Sequence, residues 1–492
     1  MSALIKSLQQ HAFERSEAVV IETFSRTITW SEFDREVNAL ARDLTTCSNL
    51  GLMLENSPAW VIADLAAIKD EICNIPLPTF FSDQQIQHAI KDANIDHIIT
   101  DQVERLLSLL NIKESKLIKI DDKEYHLLKL EPQVRKNNVD TAKVTYTSGT
   151  TGTPKGVRLS LQQIEKVAQN LTQAAQANSK DRALVLLPLS TLLENIGSVY
   201  APIFVGARIL LPTKEELGLQ GSSQINAEQL VIALQHLKPS TLIVPPQLLK
   251  LLIIFARQKI LPDSFRYIAV GGAPVGNALL KEAAELELPV YQGYGLSEAC
   301  SVISTNTPDQ NRHGSVGKPL PHQKVRIAEG GEIIIHGETF SGYLNEQKRD
   351  PQTELATGDV GYLNDEGYLY VTGRKNQRII SSYGRNVSPE WIESELESHD
   401  AIMQAAVLGN NKPFLIAVIV SKEVNKLDHA IESINKTLPD YAQIKNYIVA
   451  QLPFTISNLQ CTTNGKPRRD QIKQEYREQI ENIYESVNRN VL

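Results

Sequence analysis

The sequence predicts an α/β protein: a large N-terminal α/β domain with a β-rich portion, followed by a small C-terminal α/β domain. Three observations lead there. Strand-like and helix-like segments alternate along most of the chain, the pattern of α/β layering. Several short apolar segments end in Gly- or Pro-rich loops, where open α/β sheets place ligands. From about Gly314 the texture turns to hairpins, and it reverts to helix–strand alternation after Lys375.

The elements follow in order. Ser31–Thr45 reads as an amphipathic helix capped by Ser31, with Phe33, Val37, Leu40 and Leu44 on one face. Lys143-Val144-Thr145-Tyr146 is strand-like. A second helix starts at Ser160, with Gln163 completing a capping box and Ile164, Val167, Leu171 and Ala175 on the apolar side. Leu242-Ile243-Val244 and Tyr267-Ile268-Ala269-Val270 are short buried strands. Lys324–Ile327 and Glu332–His336 flank Gly330-Gly331 as one hairpin. Tyr362–Leu363 and Tyr368–Thr372 flank Asn364–Gly367 as another. Ser388–Ser398 is helical and Phe414–Val420 a strand. A boundary at Lys375–Gln377 divides the chain into residues 1–375 and 376–492.

Composition excludes several classes. A net charge of −7 argues against a nucleic-acid-binding surface, leaving Lys466-Pro467-Arg468-Arg469 as the best local basic patch. Cys47, Cys73, Cys300 and Cys461 are scattered without a Cys-x-x-Cys, which opposes a zinc site or disulfide framework and fits a reducing cytoplasm. Lys6, His11 and Glu14 interrupt any signal-peptide pattern. The longest apolar runs, Leu251–Ala256 and Phe414–Val420, fall far short of the roughly 20 residues of a membrane span, while peripheral membrane contact stays open. No His-Glu-x-x-His and no Gly-x-Ser-x-Gly occurs.

Six segments carry chemistry. Thr147-Ser148-Gly149-Thr150-Thr151-Gly152-Thr153-Pro154-Lys155-Gly156 concentrates backbone N–H groups, hydroxyls and one cation, the makings of a phosphate cradle. It is not a P-loop, since Gly-x-x-x-x-Gly-Lys-Ser/Thr is missing. In Gln292-Gly293-Tyr294-Gly295-Leu296-Ser297-Glu298, a planar Tyr between glycines can stack on a purine and a nearby carboxylate can hold Mg²⁺. Gly271-Gly272-Ala273-Pro274 ends a strand. Thr357-Gly358-Asp359 precedes Arg374, a pairing able to grip ribose hydroxyls and phosphate. Ile380–Glu393 forms a loop and helix start that contains Tyr383 and Gly384. Thr463-Asn464-Gly465-Lys466 supplies a lysine suited to bridging a carboxylate and a phosphate, two anions that otherwise repel.

In their order and spacing these motifs resemble the acyl-adenylate-forming superfamily, most of all its long-chain fatty acyl-CoA synthetase branch, from about Trp30 to Ile472. The resemblance implies ATP or AMP contacts at Thr147, Ser148, Gly149, Thr150, Thr151, Gly152, Lys155, Gly272, Ala273, Pro274, Gln292, Gly293, Tyr294, Gly295, Ser297, Asp359 and Arg374. It implies Mg²⁺ on Glu298 and Thr147, and catalysis by Lys466 and Glu298. It makes the C-terminal domain mobile about a hinge at Lys375, Asn376 and Gln377. Thr191, Glu194, Tyr383 and Gly384 fall on the acyl and thiol side. Two of these depart from the family pattern: Thr191 stands where fatty-acid-activating members usually carry His, and Tyr383 where Gly is commoner. Glu194 is expected to hold metal or phosphate, or to pair with a nearby cation.

The implied reaction joins a carboxylic acid, foremost a medium- or long-chain fatty acid, to ATP as acyl-AMP and then to coenzyme A. A carrier-protein phosphopantetheine is the alternative acceptor, and a non-catalytic acyl- or nucleotide-binding relative is a third reading. Retention of Lys155, Glu298, Asp359, Arg374 and Lys466 counts against the third.

Overall fold

The computed structural model describes residues 2–131, 140–147, 154–220, 224–380, 382, 386–462 and 465–489. Two large sheets form the N-terminal domain. One has seven strands in the spatial order 112–120, 123–130, 97–100, 49–53, 73–76, 143–147, 155–159. Its central strands run parallel, and Asn49–Met53 and Cys73–Pro76 are buried at every position, as a sheet covered on both faces requires. The second has nine, running from Lys318–Pro319 at one edge to Thr27–Thr29 at the other.

Helices fill the space between the sheets. Pro58–Lys69 shows why: Pro58 through Ile68 are all buried, so this helix has no solvent face. It joins Trp30–Asp43 and Leu161–Ala174 in one core with Val20, Ile21 and Ile209 of one sheet and Leu50, Ile99, Val157 and Leu159 of the other. Ser160 and Gln163 form the expected capping box. The first helix starts earlier than expected. Thr29, not Ser31, is its cap: Thr29 is extended, its hydroxyl accepts the Glu32 N–H, and the Glu32 carboxylate accepts the Thr29 N–H. Ser31 lies inside the first turn.

Both expected hairpins form, as Gln323–Ile327 with Glu332–Gly337 and Leu355–Leu363 with Leu369–Arg374, and they pair into one four-stranded sheet. In the C-terminal domain the strand Leu415–Val420 is buried on both faces. Ala417 and Ile419 meet the helices Pro389–Ser398 and Leu427–Asn435, whereas Ile416 and Val418 meet Arg469–Glu475 and Arg477–Arg489. Leu251–Ala256 lies within the helix Pro246–Arg257. Among the described residues no helix is long and apolar enough to cross a membrane.

The C-terminal domain is seated by its helix Pro389–Ser398. Lys250 Nζ donates to the carbonyls of Glu397 (2.9 Å), His399 (2.8 Å) and Ile402 (3.1 Å) at that helix's C-terminal end, where a cation complements the helix dipole. Glu395 accepts the Asn277 N–H at 3.1 Å. The backbones approach closely here: a Cβ on Gly276 would stand 2.6 Å from the Ser394 carbonyl oxygen.

Candidate active site

The strand Val290–Tyr294 runs parallel to Tyr267–Val270, with Val270 opposite Gln292, so Gly272, Ala273 and Pro274 follow beside the Gln292–Tyr294 segment. Beyond Tyr294 the chain doubles back through Gly295 into the 3₁₀ turn Ser297–Ala299 that carries Glu298. A Cβ at Gly295 would stand 1.6 Å from the Ser301 carbonyl oxygen, so only glycine fits this crossing.

Tyr294 does not point away on its own. Its hydroxyl donates to Asp359 Oδ2 at 2.6 Å, while Arg374 Nε meets Asp359 Oδ1 at 2.9 Å. Asp359 and Arg374 face each other across the hairpin, which explains their spacing in the sequence. Burial and the Asp359 carboxylate both push the Tyr294 phenol well up, so it remains a donor. Asp359 is only 4% exposed, so a ligand reaches it by joining the Tyr294 and Arg374 contacts. The side-chain oxygen of Gln292 is buried without a hydrogen-bond partner, an acceptor left open.

On the phosphate side Thr147 ends one strand and Lys155 begins the next, paired directly across the hairpin. Ser148, Gly149, Thr150, Thr151, Gly152 and Thr153 lie outside the described residues. Lys155 Nζ lies 4.8 Å over the ring of Tyr343 and 3.6 Å from Glu346. The Tyr343 hydroxyl donates to Glu298 Oε1 at 2.8 Å. Two backbone bonds at 2.8 Å hold this segment in place: Phe340 N–H to the Glu298 carbonyl and Leu344 N–H to the Gly156 carbonyl. Tyr343 thus contacts both Lys155 and Glu298. Sequence reading passed over it, although Gly342-Tyr343 repeats the Gly-Tyr signal that singled out Tyr294.

The acyl side divides. Thr191 is exposed at the start of the short helix Leu192–Asn195, and Glu194 is fully buried. Glu194 Oε1 accepts the Leu186 N–H at 2.8 Å, and Oε2 has no partner. Burial pushes its carboxyl up to about 8, so it is a neutral acid over most of the working pH range. No described cation forms a salt bridge with it, contrary to the expected pairing. The nearby cation is spent elsewhere: Lys143 Nζ, 1% exposed, donates to Asp64 Oδ1 (2.8 Å), the Tyr200 hydroxyl (2.7 Å) and Asn195, the residue after Glu194. A π-helical turn, Ile196–Tyr200, follows. Tyr383 and Gly384 lie outside the described residues.

A model described as "AMP-binding enzyme" matches residues 8–344, and one described as "AMP-binding enzyme C-terminal domain" matches residues 376–488. The chain belongs to the AMP-binding enzyme family. A 2-succinylbenzoate–CoA ligase of Bacillus subtilis is 26% identical, over 95% of this chain and 97% of its own length. That of Bacillus velezensis is 28% identical over 82% and 85%. A long-chain-fatty-acid–CoA ligase, FadD15, of Mycobacterium bovis is 26% identical over 70% of each chain. Among solved structures, the anthranilate CoA ligase AuaEII in complex with anthranoyl-AMP superposes with a TM-score of 0.79 at 18% identity, covering 96% of each chain. o-Succinylbenzoate CoA synthetase (MenE) from Bacillus subtilis, in complex with its acyl-adenylate intermediate, gives 0.75 at 24% identity, over 95% and 97%.

Near the candidate lysine, Gly465 N–H donates to the Thr462 carbonyl at 3.0 Å. Lys466 N–H is accepted by Thr462 Oγ1 at 3.1 Å, and no described hydrogen bond or ion pair joins Lys466 to the large domain. The basic patch expected at 466–469 is broken up. Arg469 is turned inward onto Glu393, with Gln377 at 3.3 Å, because the buried Glu393 carboxylate needs a counter-charge. Lys375, Asn376 and Gln377 form a 3₁₀ turn, and Lys375 pairs with Glu332 at 2.7 Å.

Proposed function

We propose that this chain is an AMP-forming acid–CoA ligase acting on a carboxylic acid with an apolar tail, foremost a medium- or long-chain fatty acid. The observation that carries this reading is that two charge clusters share one segment, with Tyr294 bonded to Asp359 and, four residues on, Glu298 bonded to Tyr343. Tyr294, Asp359 and Arg374 offer one aromatic face, one carboxylate and one guanidinium, the set that a nucleoside requires. Lys155, Glu298 and Tyr343 supply the charges for a triphosphate. A second carboxylate on the substrate would need a cation in the acyl region, and the buried cation described there, Lys143, is already committed to Asp64. That favours an uncharged tail over a succinylbenzoate.

In this reading Asp359 accepts the ribose hydroxyls and Arg374 neutralises phosphate. Glu298 and Thr147 present hard oxygen donors of the kind Mg²⁺ prefers, which fits the ion to this end of the site. The related Bacillus subtilis enzyme has a structure with ATP and magnesium ion bound. Bound there, Mg²⁺ would neutralise triphosphate charge. The substrate carboxylate attacks the α-phosphorus, pyrophosphate leaves, and Lys466 stabilises the charge that develops. The thiol of coenzyme A then attacks the acyl carbon and AMP leaves. In this reading the domain that carries Lys466 moves about Lys375–Gln377, dividing the chain functionally at 375/376.

Pyrophosphate release across fatty, aryl, succinyl-aryl and amino acids tests the substrate class. Fatty acids are expected to lead, and preference for a succinyl-aryl acid would overturn the apolar-tail reading. Repeating the panel with coenzyme A and with a phosphopantetheinyl carrier protein tests the acceptor, with coenzyme A expected.

A further inference from the structure

Tyr343 touches two groups of opposite sign that lie far apart in the sequence. Its hydroxyl donates to Glu298 Oε1 at 2.8 Å, and its ring carries the Lys155 ammonium at 4.8 Å. The side chain is not free to leave. Its ring packs edge-on against Phe340 at 5.0 Å, and its backbone forms a bridge with Val157, two residues beyond Lys155. Burial and the Glu298 carboxylate push its phenol up, so it stays protonated. Lys155 has one other described anionic partner, the exposed Glu346 at 3.6 Å, a weak surface contact that a polyphosphate would displace easily.

We infer that Tyr343 is the positioning residue of the triphosphate end: one side chain orients the metal-binding carboxylate through its hydroxyl and the phosphate-binding lysine through its ring. The hydroxyl uses one lone pair of Oε1, which leaves Oε2 and the other lone pairs for a metal. Fixing the carboxylate beforehand reduces the rotamer entropy lost when the ion binds. The ring attracts the ammonium without neutralising it, so the charge remains available to phosphate. Hydroxyl and ring therefore have separable effects, one on Mg²⁺ and one on the nucleotide alone.

This inference rests on the reading of Glu298 as the metal carboxylate, and the experiment separates the two. ATP affinity is measured calorimetrically on the full chain with and without Mg²⁺, for the wild type and for Glu298→Gln, Tyr343→Phe and Tyr343→Leu. Tyr343→Phe keeps the ring. It is expected to weaken Mg²⁺-dependent ATP binding by roughly 5- to 10-fold, the net scale of one hydrogen bond, while Mg²⁺-free binding stays unchanged. Tyr343→Leu is expected to weaken both, adding roughly 3-fold to the Mg²⁺-free value. If Glu298→Gln leaves the Mg²⁺ dependence intact, the site reading fails. If Glu298→Gln abolishes it and Tyr343→Phe does not change it, or if Tyr343→Phe weakens both affinities equally, the positioning role fails.

Discussion

Replacing Lys143 by methionine tests how the root of the phosphate hairpin is held. Lys143 opens the strand that ends at Thr147, and its ammonium is buried against Asp64, Asn195 and Tyr200, with Trp60 at 5.6 Å. Burial alone lowers its pKa, and Asp64 opposes that shift. Removing one partner of a buried ion pair costs about 3–5 kcal/mol, because the other charge is left uncompensated. Asp64 would keep donors from Asn74, Asn195 and Tyr200, which places the loss at the lower end, about 3 kcal/mol. Asp64→Asn should cost at least as much, since an ammonium then lies among neutral dipoles. The double variant Lys143→Met/Asp64→Asn should recover at least about 1.5 kcal/mol of the summed losses, as coupled neighbours do. Denaturant unfolding followed by tryptophan fluorescence reads the large domain, where Trp30 and Trp60 are buried. Single-variant losses that simply add within about 0.5 kcal/mol would refute the coupling.

Three further outcomes are expected. The Glu194 carboxyl has a folded pKa of about 8 against a reference of 4.5, so it contributes stability present below pH 4.5 and lost as pH rises through 8. That range is worth up to about 5 kcal/mol, so Glu194→Gln should flatten the decline of stability between pH 5 and 8, and parallel wild-type and variant curves would contradict it. Lys250→Met removes three bonds to the carbonyls at the end of the helix Pro389–Ser398. Loosening of the domain seat should speed tryptic cleavage around Lys375–Arg378 by about tenfold, and an unchanged rate would show that the seat does not depend on Lys250. Lys466→Ala should slow acyl-AMP formation by ~10²-fold, and undiminished adenylation would remove Lys466 from the reaction.

Much of the site was legible because its signals are local. A carboxylate and an arginine placed opposite each other in a hairpin have a spacing set by the turn, so Asp359 and Arg374 could be paired from sequence. Glycines forced by steric crossing, such as Gly295 beneath the Ser301 carbonyl, mark themselves in the same way. The capping box at Ser160 was legible, while the first helix is capped by Thr29 rather than by Ser31, since an extended residue had to come before the helix to offer its hydroxyl.

What tertiary structure alone decided joins residues far apart in the chain. Glu194 looks on paper like a ligand for metal, phosphate or a cation; full burial with no salt-bridge partner favours its neutral form, because an ionised form would lose its hydration without a counter-charge. Arg469 looks like part of a basic surface and is drawn inward by Glu393. Tyr343 has no motif of its own and matters only because packing sets it between Lys155 and Glu298. The sequence by itself determined the family and the α/β class, which depend on spacing within single loops and hairpins. The protonation, pairing and orientation of the candidate site residues were settled only when the two sheets and the C-terminal domain closed around them, since desolvation and charge pairing are properties of the assembled interior.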